Sequence, residues 1–402
     1  MRTRPILTRG VGLVMAVCAC VGTQVLGSDV ASATSGWSLV PSPGVPDSTY
    51  SYLSSVSCPA LDDCFAVGTG GTNENTPSVT SLPLIDHWDG SQWWALDPPP
   101  RPNENFLSSV SCPSRTFCVA VGHNYDSTEN STTAIADEWN GRSWFSMAFP
   151  DPAGTNLSLS AVTCLSNRDC VAVGDEIGSS KLSVFVARFS GASWKESTTS
   201  GVSAVENATL LAVSCSSPTW CVAAGYSHVS SGDTAIILTT SSQTAWAEDT
   251  KTVISASVAE FTGASCLKGR TCQVAGYDTT GAGPDASGYE VIESGLGASF
   301  KATKLATAVP RGFQVPEGIT CSTPTSCVLD GLVIRETGGD TTTTALVQSW
   351  NGHKLASVPG QVQPGWVTQG LLGVACSGSM CWGVGSVANS GSTLGRTLIE
   401  RS

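Results

Sequence analysis

Charge is scarce in this chain. About 13% of its 402 residues are Asp, Glu, Lys or Arg, and 20 basic residues face 32 acidic ones, for a formal net charge of −12. The basic residues form no cluster or stripe. That excludes the electrostatic footprint of a nucleic-acid binder and the polybasic patch that docks on anionic lipid. Histidine is rarer still, with four copies. Motifs with built-in chemistry are missing: there is no G-x-S-x-G, no H-E-x-x-H, no phosphate-cradling glycine loop with its lysine, and no D-x-D-x-D-G calcium run. Beyond the first 33 residues no stretch is apolar enough to span a bilayer. Apolar residues are not short, at 41%, and they come in brief runs, so a folded chain is expected.

Cysteine, in contrast, is plentiful: sixteen copies point to an oxidising compartment. The start of the chain agrees. Arg2, Arg4 and Arg9 precede an apolar run from Val11 to Val21, and Ala31-Ser32-Ala33 has the form of a cleavage site. Residues 1–33 thus read as a secretory signal cut after Ala33. Its removal takes away three arginines and Asp29, leaving −14. Two weaker readings stand beside it: a loose lipobox, Val17-Cys18-Ala19-Cys20, that would leave a lipid-anchored Cys20, and an uncleaved anchor, which Thr23 and Gln24 interrupt.

The other fourteen cysteines fall into seven local pairs: Cys58/Cys64, Cys112/Cys118, Cys164/Cys170, Cys215/Cys221, Cys266/Cys272, Cys321/Cys327 and Cys376/Cys381. Each pair marks a repeat, most clearly Leu107-Ser-Ser-Val-Ser-Cys-Pro-Ser-Arg-Thr-Phe-Cys-Val-Ala-Val-Gly122. Repeats begin near 53, 107, 159, 210, 261, 316 and 371. A period near 50 predicts a propeller, with one four-stranded antiparallel sheet per repeat. Within the second repeat, Phe106–Ser111 suits an inner strand. Cys118–Gly122 is a continuous apolar run and suits a strand buried on both faces. The polar stretch His123–Thr133 reads as a loop. Ala134–Trp139 and Ser143–Ala148 then form a hairpin around Asn140-Gly141.

The same hairpin recurs as Trp88-Asp-Gly-Ser-Gln-Trp93 and Phe189-Ser-Gly-Ala-Ser-Trp194, and in part at Trp350-Asn-Gly-His353. Its aromatics are expected to pack between blades. The seventh repeat ends at Ser402 without its fourth strand, whereas Ser35-Gly-Trp-Ser-Leu-Val40 matches the outer strand of other repeats. Trp37 lies 19 residues before Val56, as Trp194 lies 19 before Val213. The fold class expected is therefore all-β: residues 34–402 form a seven-bladed β-propeller of four-stranded antiparallel blades, its ring closed by the N-terminal strand.

Each cysteine pair brackets the tight turn between the first two strands, where facing Cβ atoms come within bonding distance, so one local disulfide per blade is expected. Metal binding is the rival reading, but no histidine stands at a constant offset to complete a ligand set. The Trp-x-Gly turns fall on the same end of the propeller as the cystine turns. The opposite end carries the variable connections, among them Asn73-Glu-Asn75 and Thr337-Gly-Gly-Asp340, and is the candidate binding face. His123, Tyr125, Asp126, Asp175, Glu176, Tyr226, His228, Tyr277 and Asp278 stand just beyond the recurring glycine and are expected to ring the channel rim.

The unit V-S-C-P-x4-C-x-A-V-G followed by W-[DN]-G-x-x-W resembles the repeat of secreted actinobacterial β-propellers. The hairpin is also similar to the Asp-box of sialidase-like and sortilin-like propellers. It departs from that motif because Asp89 and Asn140 directly precede their glycines and no Ser stands two positions earlier. The resemblance implies fold and secretion and carries over no active-site residues. The function expected is that of an exported, non-catalytic, monomeric module, without cofactor or metal, that binds an extracellular protein or glycan. The alternatives are a glycan-active hydrolase or lyase with carboxylates at the channel mouth, and a structural envelope component.

Overall fold

Four antiparallel strands per repeat are what the chain forms. A computed structural model describes residues 36–402 except 46–47, 73–80, 152–154, 179–181, 200–206, 230–231, 241, 249–257, 281–286, 297–299, 307–311, 338–339, 360–365 and 390–394. The expected leader at residues 1–33 with Cys20, Asn73-Glu-Asn75 and Gly338-Gly339 lie outside the described residues. Gly36–Ser402 is one compact unit. Blade 2 shows the plan: strands Glu104–Ser114, Phe117–Asp126, Ser131–Trp139 and Trp144–Ser146 lie side by side in chain order. Blades 1 and 3 to 6 repeat it from Tyr50, Asn156, Ala208, Val258 and Gly312, and blade 7 starts at Thr368. Among the described residues there is no helix.

The second strand is apolar because neighbours cover both its faces. Cys118, Val119, Ala120 and Val121 are fully buried. The polar stretch after Gly122 is not the loop expected from its composition. The second strand runs on through Asp126 and the third begins at Ser131, so polarity there marks solvent exposure of a long hairpin rather than its end.

Each cysteine pair forms its disulfide. Each bridge runs from the turn into the core. The second cysteine of each pair opens the second strand and is buried with it: Cys64, Cys118, Cys170, Cys221, Cys272, Cys327 and Cys381. Each of these sulfurs belongs to an apolar cluster, Cys64 beside Trp88 and Trp382, Cys272 beside Trp220 and Phe261, Cys327 beside Trp350, and Cys381 beside Trp37. One sulfur of each cystine is therefore a core atom, while the first cysteine is half-buried in blades 1, 3, 5, 6 and 7.

The inner strand carries a β-bulge at the same place in every blade. Its register shifts between Leu53 and Ser55, Leu107 and Ser109, Leu159 and Ala161, Leu210 and Ala212, Phe261 and Gly263, Pro316 and Gly318, and Leu371 and Gly373. The bulge presses the inner backbone against the second strand and explains the invariant glycine of the repeat. A Cβ on Gly122 would lie 1.9 Å from the carbonyl oxygen of Phe106, and one on Gly68 2.0 Å from that of Tyr52.

Blades are joined by the serines of the repeat. The amides of Val110 and Cys112 donate to Ser55 and Ser57 Oγ of blade 1, at 3.2 and 2.9 Å. Those of Val162 and Cys164 donate to Ser109 and Ser111 of blade 2 at the same distances. Between these polar seams sit the hairpin aromatics: Trp139 and Trp144 pack on Phe65 of blade 1, with centroids 5.3 and 5.8 Å away. Trp88 and Trp93 pack on Trp382 of blade 7 at 4.7 and 5.2 Å.

The inner strands contact one another in a cycle, blade 7 against blade 1, so the ring is closed. The chain start supplies the outer strand of blade 7: Ser38 and Leu39 pair antiparallel with Arg401 and Glu400, and Trp37 is buried beside Leu371, Val387 and Leu398. Two further latches lie in the connections. Ser42 donates to Asp86 of blade 1 at 3.0 Å, and Arg101 grips Asp137 of blade 2 with both guanidinium nitrogens. Blade 4 also gains a short parallel edge, Thr198–Thr199 on Ala245 and Trp246.

Candidate binding site

All nine candidate residues lie on second strands, at the end of the propeller opposite the cystine turns. Three belong to blade 2, and His123 among them reaches blade 3. His123 stacks on Phe106, with centroids 4.8 Å apart, and meets Ser158 Oγ at 3.2 Å; burial lowers its pKa. Asp126 accepts from the amides of Thr128 and Glu129 and from Asn103 Nδ2, which fixes the turn. Tyr125 donates to Asn130. Glu176, in blade 3, is held up by burial and then by the charges of Glu196 and Asp151. Asp278 is buried.

The other four converge. Asp175 of blade 3 accepts from Thr209 of blade 4 at 2.7 Å, and burial raises its pKa. Tyr226 of blade 4 is raised by burial, then by Glu260, Asp233 and Asp175. His228 bonds Asp233 on the neighbouring strand. Tyr277 of blade 5 stacks at 6.4 Å on Phe313 of blade 6, and its phenol is raised by burial and then by Glu260, to which it donates, and by Glu317 and Asp233. Two tyrosines, a histidine and the carboxylates Asp175, Asp233, Glu260 and Glu317 thus form one belt across blades 3 to 6. No Lys or Arg enters among the charges that act on these groups.

None of the nine candidates lines the central channel, a cavity of about 390 Å³ bordered by three consecutive residues of most inner strands; the belt meets it through Glu317. The bulge residue of each blade is part of this lining, and in chain order these are Ser54, Ser108, Ser160, Leu211, Thr262, Glu317 and Leu372. Glu317 is the sole ionisable group in this lining. Burial and the charge of Glu260 push it up to about 7. Behind it Asp330 is fully buried and raised, by burial and then by Glu317. In the other blades this position holds Val67, Val121, Val173, Ala224, Ala275 and Val384.

Glu260, Glu317, Asp233 and Asp330 were not among the residues that the repeat pattern singled out. Comparing the repeats position by position reveals two of them. Glu317 stands where the others have Ser, Leu or Thr, and Asp330 where they have Val or Ala.

No family model and no curated protein sequence matches the chain. Solved structures do match in shape. One described as YCF48 bound to D1 peptide superposes with a TM-score of 0.52 over 90% of this chain and 94% of that one, at 13% identity. The polysaccharide lyase Uly1 gives 0.53 over 87% and 89%, at 9% identity. The fold is a β-propeller. At such identity the likeness speaks for the fold alone. Among the described residues of this propeller, no group of three or more His, Cys, Asp or Glu is arranged to hold a metal ion. No helix among them is long and apolar enough to cross a membrane.

Proposed function

We propose that the chain is an exported propeller that binds an extracellular glycan on the end opposite the cystine turns, without itself turning the ligand over. The observation that carries this reading is the convergence of Tyr226 and Tyr277 with Asp175, Asp233 and Glu260 from three consecutive blades. Tyrosine faces give a sugar ring its apolar platform, and the carboxylates beside them accept hydrogen bonds from its hydroxyls. A surface without basic residues in this belt suits a neutral or cationic chain and disfavours a polyanion. Seven disulfides support export, as does the leader at residues 1–33. The secreted product is expected to start at Thr34, which N-terminal sequencing checks.

The test is an array of neutral, amino and acidic polysaccharides probed with oxidised protein spanning residues 34–402. Binding to a neutral or amino glycan, weakened at least tenfold by Tyr226→Ala or Tyr277→Ala, supports the reading. Binding to no glycan overturns it and leaves a protein partner or a structural role. A second reading, a glycan-active hydrolase or lyase, has one observation in its favour. Glu317, raised to about 7 beside Glu260, has the protonation behaviour of a general acid. Turnover of a glycan abolished by Glu317→Gln is the result that selects it.

A further inference from the structure

We propose that the channel mouth at blades 5 and 6 seats a protonated amine, with Glu317 as its ion-pair partner and Asp330 as a second acidic group behind it. The site is the channel rather than the tyrosine rim, so it goes beyond the glycan reading and does not depend on it.

Three observations converge. First, the bulge position, which lines the channel in every blade, holds six neutral residues and one carboxylate. Bulges re-aim side chains at functional places, and here the odd one is acidic. Second, Asp330 replaces an apolar core residue. Its Oδ1 lies 2.5 Å from where a Cβ on Gly318 would stand, so it occupies space at the channel wall that the missing side chain frees. Neither of its oxygens closes a hydrogen bond of full geometry; the nearest donors are the backbone amides of Gly318, Gly373 and Asp330 itself. Burial favours the neutral form of this carboxyl unless a positive charge balances it.

Third, nothing among the described residues supplies that balance. The titratable groups facing Glu317 are Glu260 and Tyr277 from blade 5 and Asp330 from its own blade. The channel-lining segment of blade 7, Leu372-Gly373-Val374, brings none. An ammonium group offers one positive charge and three donors. Glu317 and the carbonyl and hydroxyl oxygens of the lining can accept them. The cavity of about 390 Å³ admits a small amine or the end of an amino sugar chain.

The experiment is calorimetric titration of the protein, residues 34–402, with spermidine, with a glucosamine oligosaccharide, with its N-acetylated counterpart and with calcium chloride. At least one amine is expected to bind and the acetylated chain is not. Which amine binds distinguishes a polyamine from an amino sugar as source. With spermidine, whose amines stay protonated across this range, affinity is expected to rise about tenfold from pH 5.5 to 7.5 as Glu317 gives up its proton. Glu317→Gln is expected to cost at least tenfold in affinity at an unchanged melting temperature. Asp330→Val, which restores the residue of four other blades, is expected to weaken binding and flatten the pH profile. The proposal is overturned if no amine binds, if calcium binds where amines do not, or if Glu317→Gln binds within twofold of the parent. Glycan binding that needs Tyr226 and Tyr277 but ignores Glu317 would sink the amine site while leaving the rim reading intact.

Discussion

At Gly122 the difference between a hydrogen atom and a methyl group decides whether the bulge of blade 2 can form. The Phe106 carbonyl leaves no room for a Cβ, and a backbone oxygen cannot swing aside as a side chain can. Gly122→Ala is expected to destabilise the protein by roughly 3 kcal/mol, read from denaturant unfolding. Asp86 makes a different prediction. It is fully buried, and burial lifts it to about 7 against the opposing bond from Ser42. An acid raised on folding favours the native state below its unfolded pKa of 3.8, and that stability is lost as pH climbs to about 7. Asp86→Asn should therefore match the parent near pH 4 and exceed it at pH 8 by on the order of 2 kcal/mol, which melting at the two pH values checks. At this scale the sequence was legible where residues recur. The glycine and the serines are visible as repeats, though their reasons, a clash and an inter-blade bond, are not. Single departures such as Glu317 and Asp330 are drowned by the pattern around them, and their burial and mutual coupling exist only once blades 5 to 7 stand side by side.

The strand hairpin is the element on which the fold is built. Each cystine closes the turn of its first hairpin, with Cys164 opposite Cys170, Cys266 opposite Cys272, Cys321 opposite Cys327 and Cys376 opposite Cys381 in the ladder. Removing one bridge by Cys112→Ser with Cys118→Ser is expected to cost roughly 2.4 kcal/mol by loop entropy, measured as a shift in denaturant midpoint at unchanged slope. The pairing of the cysteines was readable because it is local. Their burial was not, since the cover over Cys64 or Cys381 comes from the neighbouring blade or the far end of the chain. Hairpins were well marked for the same local reason: Asn140-Gly141 and its kin specify the reversal within six residues. The ends away from those turns were misjudged. His123–Thr133 reads as a loop since its side chains are polar, yet the backbone there is paired on both sides as far as Tyr125 and on one side at Asp126. The short parallel edge at Thr198–Thr199 carries no pattern, because its partner lies more than forty residues on.

For the molecule as a whole the decisive bond is the one between its two ends. Blade 7 takes its outer strand from Ser38 and Leu39, anchored by the buried Trp37. Trp37→Ala should open this seam, lower stability by about 3 kcal/mol and expose the first residues to protease. A disulfide linking the paired positions through S38C and R401C should do the reverse and slow unfolding, followed by single-jump kinetics. The offset of Trp37 from the first repeat made this closure readable without coordinates. The bulge has a wider consequence. The seven bulge residues are each half-buried, and the residue before each is buried in every blade, whichever side chain follows it. The inside of the ring is therefore a seven-position register, one per repeat, whose chemistry can be rewritten a letter at a time while the scaffold that displays it stays unchanged.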